Sequence, residues 1–263
     1  MTDIYHDLSA TRFVDYNIGG YHVLAPHFLV DKHPRSSWEM ERFKHMEKNL
    51  RPGMTLFDIG AENGSMSAVY AQFVGGGENI CLFEPVPQVF PNIKATWSAN
   101  GLKTPRSTYC GFVSDKSWIS DYHDFPTGYR DGWPECAYSG LLLEATKFRY
   151  VGEHSHCTDS ITLDDFVDNT GIIPDALTMD VEGYEPTVIA GGLNTIRQHR
   201  PLIWLSVHVH SPEDGGNNIL VSYTGSDRLD EMHGALLDAG YSPEIIAQDH
   251  ERHVAYTPMG RKR

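Results

Sequence analysis

The chain is short of positive charge, of cysteine and of long apolar runs, and each shortage removes a class of function. Its 263 residues include 21 Lys and Arg against 35 Asp and Glu, a formal net charge of −14. Nucleic acids are held mainly by Lys and Arg clusters that neutralise phosphates. The one basic cluster here is Arg261-Lys262-Arg263, which reads as a solvated terminus. No nucleic acid partner is expected. Only four cysteines occur, Cys81, Cys110, Cys136 and Cys157, without metal-site spacing. Cys81 and Cys110 sit inside apolar runs, as small core residues do, and the pattern suits a reducing cytoplasm. No apolar stretch approaches the roughly 20 residues that span a bilayer. The opening, Met1-Thr-Asp-Ile-Tyr-His6, has neither the basic nor the apolar region of a secretory signal. A cytoplasmic protein with no membrane partner is therefore expected, long enough to bury a sizeable core.

What is present is organised around Met54-Thr-Leu-Phe-Asp-Ile-Gly-Ala-Glu-Asn-Gly-Ser-Met-Ser67. An apolar run of buried-strand length turns through Asp58, Gly60 and Gly64. It then enters a stretch with Met66, Val69, Tyr70 and Phe73 at helical spacing. A strand that breaks at glycines before a helix N-terminus lets backbone N–H groups approach a ligand closely. Asp58 would repel a phosphate there and suits an amino or hydroxyl group instead. The next apolar run, Asn79–Glu84, ends on a second acid. An acid at the second strand tip, about two dozen residues on, is where a doubly wound fold holds a ribose. Glycine turns also occur in ordinary strand–turn–helix units, and it is Asp58 and Glu84 together that point to a nucleoside.

Around this stretch, residues 1–35 read as an arm or hairpin with a strand at Tyr21–Ala25. Ser36 and Glu39 have capping-box spacing before a helix carrying Phe43, Met46 and Leu50. A helix with Phe90, Ile93 and Trp97 and a third strand, Ser107–Val113, follow. Alternating strands and helices predict a parallel sheet with covered faces. Residues 116–158 break the rhythm with eight aromatics, from Trp118 to Tyr150, and no periodicity. Such an insertion is read as a substrate-facing lid, with a packed excursion as the rival. Thr162 and Asp165 then have capping-box spacing, and Ala176–Val181 predicts a fourth strand. A helix from Glu185 places Ile189, Leu193 and Ile196 on one face, and Pro201–His208 predicts a fifth strand. A helix from Ser226 stops at Gly240, and Tyr241–Ala247 with His253–Thr257 suits an antiparallel pair at the sheet edge.

These residues resemble the FkbM-type family of S-adenosylmethionine-dependent methyltransferases. The family's Asp-hydrophobic-Gly-Ala-Asn-x-Gly segment is matched by Asp58-Ile-Gly-Ala-Glu-Asn-Gly64, with Glu62 in place of Asn. Phe83-Glu-Pro-Val-Pro87, Thr162-Leu-Asp-Asp165, Thr178-Met-Asp-Val-Glu-Gly-Tyr-Glu185 and Arg200-Pro201 match four further motifs, with Thr178 for a common Lys and Ser206 where Glu is frequent. The resemblance runs from about Trp38 to His210. It implies an α/β, Rossmann-like class I methyltransferase with a seven-stranded, mostly parallel sheet, helices on both faces and an antiparallel last strand. It implies S-adenosyl-L-methionine as cofactor, its amino acid end against Asp58, Gly60, Ala61, Glu62 and Gly64. The ribose falls to Glu84 and Pro85, and the adenine to Ser114 and Asp115. The expected organisation is a single domain over 1–263, with an arm and helix (1–50), a cofactor-binding half (51–115), the insertion (116–158) and a catalytic half (159–263).

Methyl transfer from a sulfonium is an in-line displacement that needs an aligned oxygen, exclusion of water and removal of the hydroxyl proton. Asp180 and Glu182, like His208 and His210, are two apart where the fourth and fifth strands end. Alternate strand residues share a face. Three readings stand: Asp180 or His208 as general base; Asp180, Glu182, His208 and His210 as ligands of a divalent ion; or an orienting role for the acids with the histidines in a loop. Other histidines, including His250 and His253, are expected in solvated loops. The function read is O-methylation of a hydroxyl on a sugar, glycan or secondary metabolite. An NAD(P)-dependent oxidoreductase on a similar sheet and a non-catalytic nucleoside-binding module are the alternatives.

Overall fold

A computed structural model describes residues 5–30, 39–118, 132–144, 159–207, 226–248 and 251–260. The chain divides into two compact units, Met1–Phe112 with Ser120–Asp159, and Val113–Ile119 with Ser160–Arg263.

The first unit opens with β1 (Tyr5–Asp7) and a hairpin of β2 (Phe13–Ile18) and β3 (Tyr21–Pro26). Asn17 Oδ1 accepts the N–H of Gly20 at 3.0 Å and closes the turn between them. After α1 (His27–Val30) come α2 (Met40–Asn49), β4 (Leu56–Ile59), α3 (Ser65–Val74), β5 (Ile80–Glu84), α4 (Phe90–Ala99) and β6 (Ser107–Cys110). Every residue of β4 and β5 is buried, which explains why both read as continuous apolar runs rather than alternating ones. Phe57 of β4 packs on Phe83 of β5 with ring centroids 5.4 Å apart.

The third strand is shorter than Ser107–Val113. It stops at Cys110, Gly111 donates its N–H to Glu84 O at 3.1 Å, and Phe112–Val113 forms a separate β7 that pairs with β9 (Ser160–Ile161). Ser36 lies outside the described residues. Glu39 is not a side-chain cap of α2, because its carboxylate is taken by Arg42.

Most of the aromatic insertion also lies outside the described residues. Its part at 132–144 is packed excursion rather than lid. Trp133 sits edge-on to Trp97 at 5.9 Å, and β8 (Leu141–Leu143) pairs with β1. Asn92 grips Leu143 through both its N–H and its C=O, at 2.9 and 2.7 Å.

The second unit holds α5 (Leu163–Thr170), β10 (Ala176–Met179), α6 (Glu185–Ala190), α7 (Leu193–His199), β11 (Leu202–Val207), α8 (Ser226–Asp238), β12 (Tyr241–Gln248) and β13 (Arg252–Pro258). Thr162 caps α5 as its spacing predicts, Oγ1 accepting the Asp165 N–H at 2.9 Å. The helix from Glu185 is two helices. A Cβ at Gly191 would fall 2.0 Å from Ser114 O, so the chain passes too close there for any other residue. Arg200 closes α7 in the left-handed region, and its guanidinium donates to the carbonyls of Ala239, Gly240 and Met259.

One seven-stranded sheet has the order β12-β13-β11-β10-β4-β5-β6. β4, β5 and β6 run parallel, as do β10 and β11, while β13 is antiparallel to β11 and β12 to β13. This is the mostly parallel sheet with a reversed last strand that the motifs imply. No helix of the described residues is long and apolar enough to cross a membrane.

Candidate functional site

In the first unit two acids stand at neighbouring strand tips. Asp58 is 4% exposed, and the Ser67 hydroxyl, from the first turn of α3, donates to its Oδ2. Burial pushes the Asp58 carboxyl up to about 6, although the Ser67 bond and the Arg42 charge pull it down. Arg42 is itself buried and pairs with Glu39 at 3.0 Å.

Glu84 is 7% exposed at the end of β5. Pro85 has no N–H to offer, and Glu84 Oε1 accepts the next one, from Val86, at 3.0 Å, while Oε2 accepts that of Glu62 at 3.0 Å. Each oxygen keeps a further lone pair. Burial drives this carboxyl up to about 8, with the charges of Glu62 and Asp58 adding to it against the two N–H bonds.

The turn between β4 and α3 spends its donors internally. Gly60 and Ala61 both donate to Phe83 O, at 2.9 and 3.1 Å, Glu62 to Glu84, Gly64 to Ala61 O and Ser65 to Asn63 Oδ1. Gly64 stands at φ +79, and a Cβ there would lie 2.9 Å from Ile93 Cγ2 and 3.0 Å from Ile93 Cα. The tight turn and close approach of α4 therefore both require glycine. Three acids surround a turn in which the N–H groups of Gly60, Ala61, Glu62, Gly64 and Ser65 are already used. Such a set suits a cation and hydroxyl donors better than a phosphate, which is bound by open N–H groups.

In the second unit Ser114 donates its N–H to Ile161 O at 2.9 Å, and Asp115 is exposed with Oδ1 3.3 Å from Ser114 Oγ. β10 ends at Met179, so Asp180, Val181 and Glu182 lie beyond the strand, and Glu182 adopts φ +55. The alternation that would put Asp180 and Glu182 on one face of a strand therefore does not apply. The loop is shaped instead by Glu185, fully buried, whose Oε1 lies 3.3 Å from the N–H donor of Val181 and 3.2 Å from that of Gly183. Asp180 and Glu182 are half-buried around it. His208 and His210 lie outside the described residues. Among the described residues, Asp180 and Glu182 join no group of three side chains placed to ligate one ion.

One buried group went unread in the sequence. His253 is not in a solvated loop. It is 1% exposed in β13, opposite Ser206 of β11, with Nδ1 3.2 Å from Ser206 Oγ. Its place at the head of the apolar run His253–Thr257 was the available signal.

The seven-stranded, mostly parallel sheet with a reversed strand is the architecture of the class I methyltransferases. The sequence model of the methyltransferase FkbM domain matches residues 58–243, and the chain belongs to that family. No curated protein matches it. Among solved structures it is similar to an FkbM methyltransferase from Methylobacillus flagellatus KT, with 14% identity, TM-score 0.48, and 82% of this chain and 51% of that one covered. The chain thus spans about half the length of that relative. It is also similar to Aeropyrum pernix fibrillarin with natively bound S-adenosyl-L-methionine, at 14% identity, TM-score 0.44 and coverage of 95% and 84%. M. jannaschii TYW2 in complex with AdoMet gives 10% identity, TM-score 0.43 and coverage of 93% and 84%.

Proposed function

We propose that the turn after β4 and the tip of β5 bind S-adenosyl-L-methionine and that the protein methylates a hydroxyl of a sugar, glycan or secondary metabolite. The observation that carries this reading is the set of carboxylates Asp58, Glu62 and Glu84 around a turn whose Gly60, Ala61, Glu62, Gly64 and Ser65 N–H groups are already bonded. It favours a ligand with an ammonium, a sulfonium and a ribose diol, and it disfavours the pyrophosphate of NAD(P). Glu84 can accept both ribose hydroxyls on its remaining lone pairs. Asp58 offers its second oxygen to the ammonium, in a turn also formed by Gly60, Ala61, Glu62 and Gly64. Ser114 and Asp115 stay the residues that family resemblance assigns to the adenine.

The bound cofactor supplies a methyl on a positively charged sulfur, which the acceptor oxygen displaces in line. The chain's own part is to fix the geometry and take the acceptor's proton. Asp180 is the proposed base, held in place by the loop that Glu185 folds, with His208 as the other candidate. Asp180 and Glu182 belong to no group of three ligating side chains among the described residues, and no step is routed through a divalent ion. The charge of −14 supports an acceptor that is not a polyanion.

The test is a turnover screen with methyl-labelled cofactor against hydroxylated sugars, glycans and phenols, with and without EDTA. Label transfer to a hydroxyl is expected. Transfer only to an amine or to RNA would overturn the acceptor reading, and loss of turnover in EDTA would overturn the metal-free one.

A further inference from the structure

Ser114 and Asp115 open a segment, residues 114–118, that is bonded along its length to the stretch entering α5. Ser114 donates its N–H to Ile161 O at 2.9 Å, and its own carbonyl comes so close to Gly191 that a Cβ there would fall 2.0 Å away. Lys116 O accepts the Ser160 hydroxyl at 2.8 Å. Trp118 exchanges two backbone bonds with Ser160, at 2.8 and 2.7 Å. Between these contacts stands Ser117. Its Oγ accepts the Thr162 N–H at 2.9 Å and donates to Asp165 Oδ2. A hydroxyl can accept and donate at once, so one small side chain closes both bonds. Ser117 and Asp165 are exposed, where a hydrogen bond adds little net stability. What the pair does is fix the backbone two residues after Asp115, which is itself exposed between two tethered neighbours.

Resting on the assignment of Ser114 and Asp115 to the adenine, we propose that Ser117, held by Asp165, is a positioning residue for recognition of the cofactor's base. It acts through the backbone. With Lys116, Ser117 and Trp118 tethered, Ser114 and Asp115 meet the base from a chain already in place, and binding does not have to order it first. The Thr162-Leu-Asp-Asp165 stretch then has two separable tasks. Thr162 Oγ1 accepts the Asp165 N–H and caps α5, a local stabilising contact. The Thr162 N–H and the Asp165 carboxylate hold Ser117. Removing the Thr162 side chain touches the first task and leaves the second.

The test is calorimetric titration of the full chain with S-adenosylhomocysteine and S-inosylhomocysteine. The two share the amino acid, the sulfur and the ribose, so the contributions of Asp58 and Glu84 cancel between them. They differ at the base, where an oxo group replaces the exocyclic amine. The wild type is expected to prefer the adenosyl compound at least about tenfold, as for one hydrogen bond to a charged acceptor. Ser117→Ala and Asp165→Ala should each lower that preference about threefold, the ordering cost of about one side chain, and Ser117→Thr should keep it. Thr162→Ala should lower the melting temperature with the preference unchanged. An unchanged preference in either Ser117→Ala or Asp165→Ala, the same loss in Ser117→Thr, or an equal loss in Thr162→Ala would overturn the inference. If the wild type bound neither compound, the cofactor reading itself would fall and carry this inference with it. If it bound both alike, the inference would fall with the placement of the base at Ser114 and Asp115, and the reading of Asp58 and Glu84 would stand.

Discussion

The two units each carry acids at or just past the end of a parallel strand, and they hold them in opposite ways. At the tips of β4 and β5 the acids themselves are buried and bonded: Asp58 by Ser67, Glu84 by two backbone N–H groups. Beyond β10 the buried acid is Glu185, which folds the loop, and the acids proposed for chemistry, Asp180 among them, are half-buried around it. The first arrangement would fix the proposed ligand-binding groups before the ligand arrives, at an electrostatic cost seen in the raised pKa values of Asp58 and Glu84. The second leaves the proposed proton acceptor, Asp180, half-buried in a loop shaped by its neighbour Glu185. Binding groups tolerate burial, whereas a base that must meet an acceptor does not.

The sharpest way to break this contrast is Asp180→Asn. If Asp180 is the base, kcat falls by about 10² to 10⁴ while S-adenosylmethionine affinity, read by calorimetry, stays within about twofold. Glu185→Ala tests the positioning half of the claim. A mislaid loop is expected to lower kcat by up to about 100-fold, with Glu185→Gln recovering most of it. Next in size is Gly64→Ala, which forces a Cβ against Ile93 at positive φ. We expect a loss of about 1–3 kcal/mol in chemical denaturation.

The pH response separates the two acid sets without any acceptor. The carboxyls of Asp58 and Glu84 titrate higher in the folded protein than their ordinary 3.8 and 4.5, at about 6 and about 8. The folded state therefore binds their protons more tightly than the unfolded one. The stability they contribute is full below the ordinary values and is lost as pH rises, for Asp58 up to about 6 and for Glu84 up to about 8. The melting temperature of the ligand-free protein should fall across that range, and Glu84→Gln should flatten the fall. A ligand that favours ionised carboxylates should bind more tightly at pH 8 than at pH 6 and release protons as it does. The smallest effect is expected far from either acid set. Thr162→Ala removes the α5 cap and should cost about 1 kcal/mol, with cofactor affinity untouched.

The sequence disclosed most about the first unit. Continuous apolar runs ending on Asp58 and Glu84, with glycines between, allowed little but buried strands and a tight turn, and the structure has them within a residue or so. The cap at Thr162 and the final antiparallel pair were legible for the same reason, since local chemistry decides them. What was not legible depended on contacts distant along the chain. Gly111 follows the end of β6 and donates to Glu84 O, and the helix from Glu185 ends at Gly191, where Ser114 O leaves no room for a Cβ. Periodicity continues across both glycines and gives no warning. The face-sharing of Asp180 and Glu182 failed because it assumed a strand where Glu185 builds a loop. His253 was misjudged on its residue type, although the run it heads was read as a strand.

The central claim is that the buried carboxylate of Glu84 grips the ribose of a sulfonium-bearing nucleoside. Titration of S-adenosylmethionine into the wild type and Glu84→Gln at pH 8 tests it most directly. Two hydrogen bonds to a charged acceptor, each contributing about 1.5–3 kcal/mol, predict that the substitution weakens binding at least about 100-fold. Equal affinity in the two proteins would contradict the account.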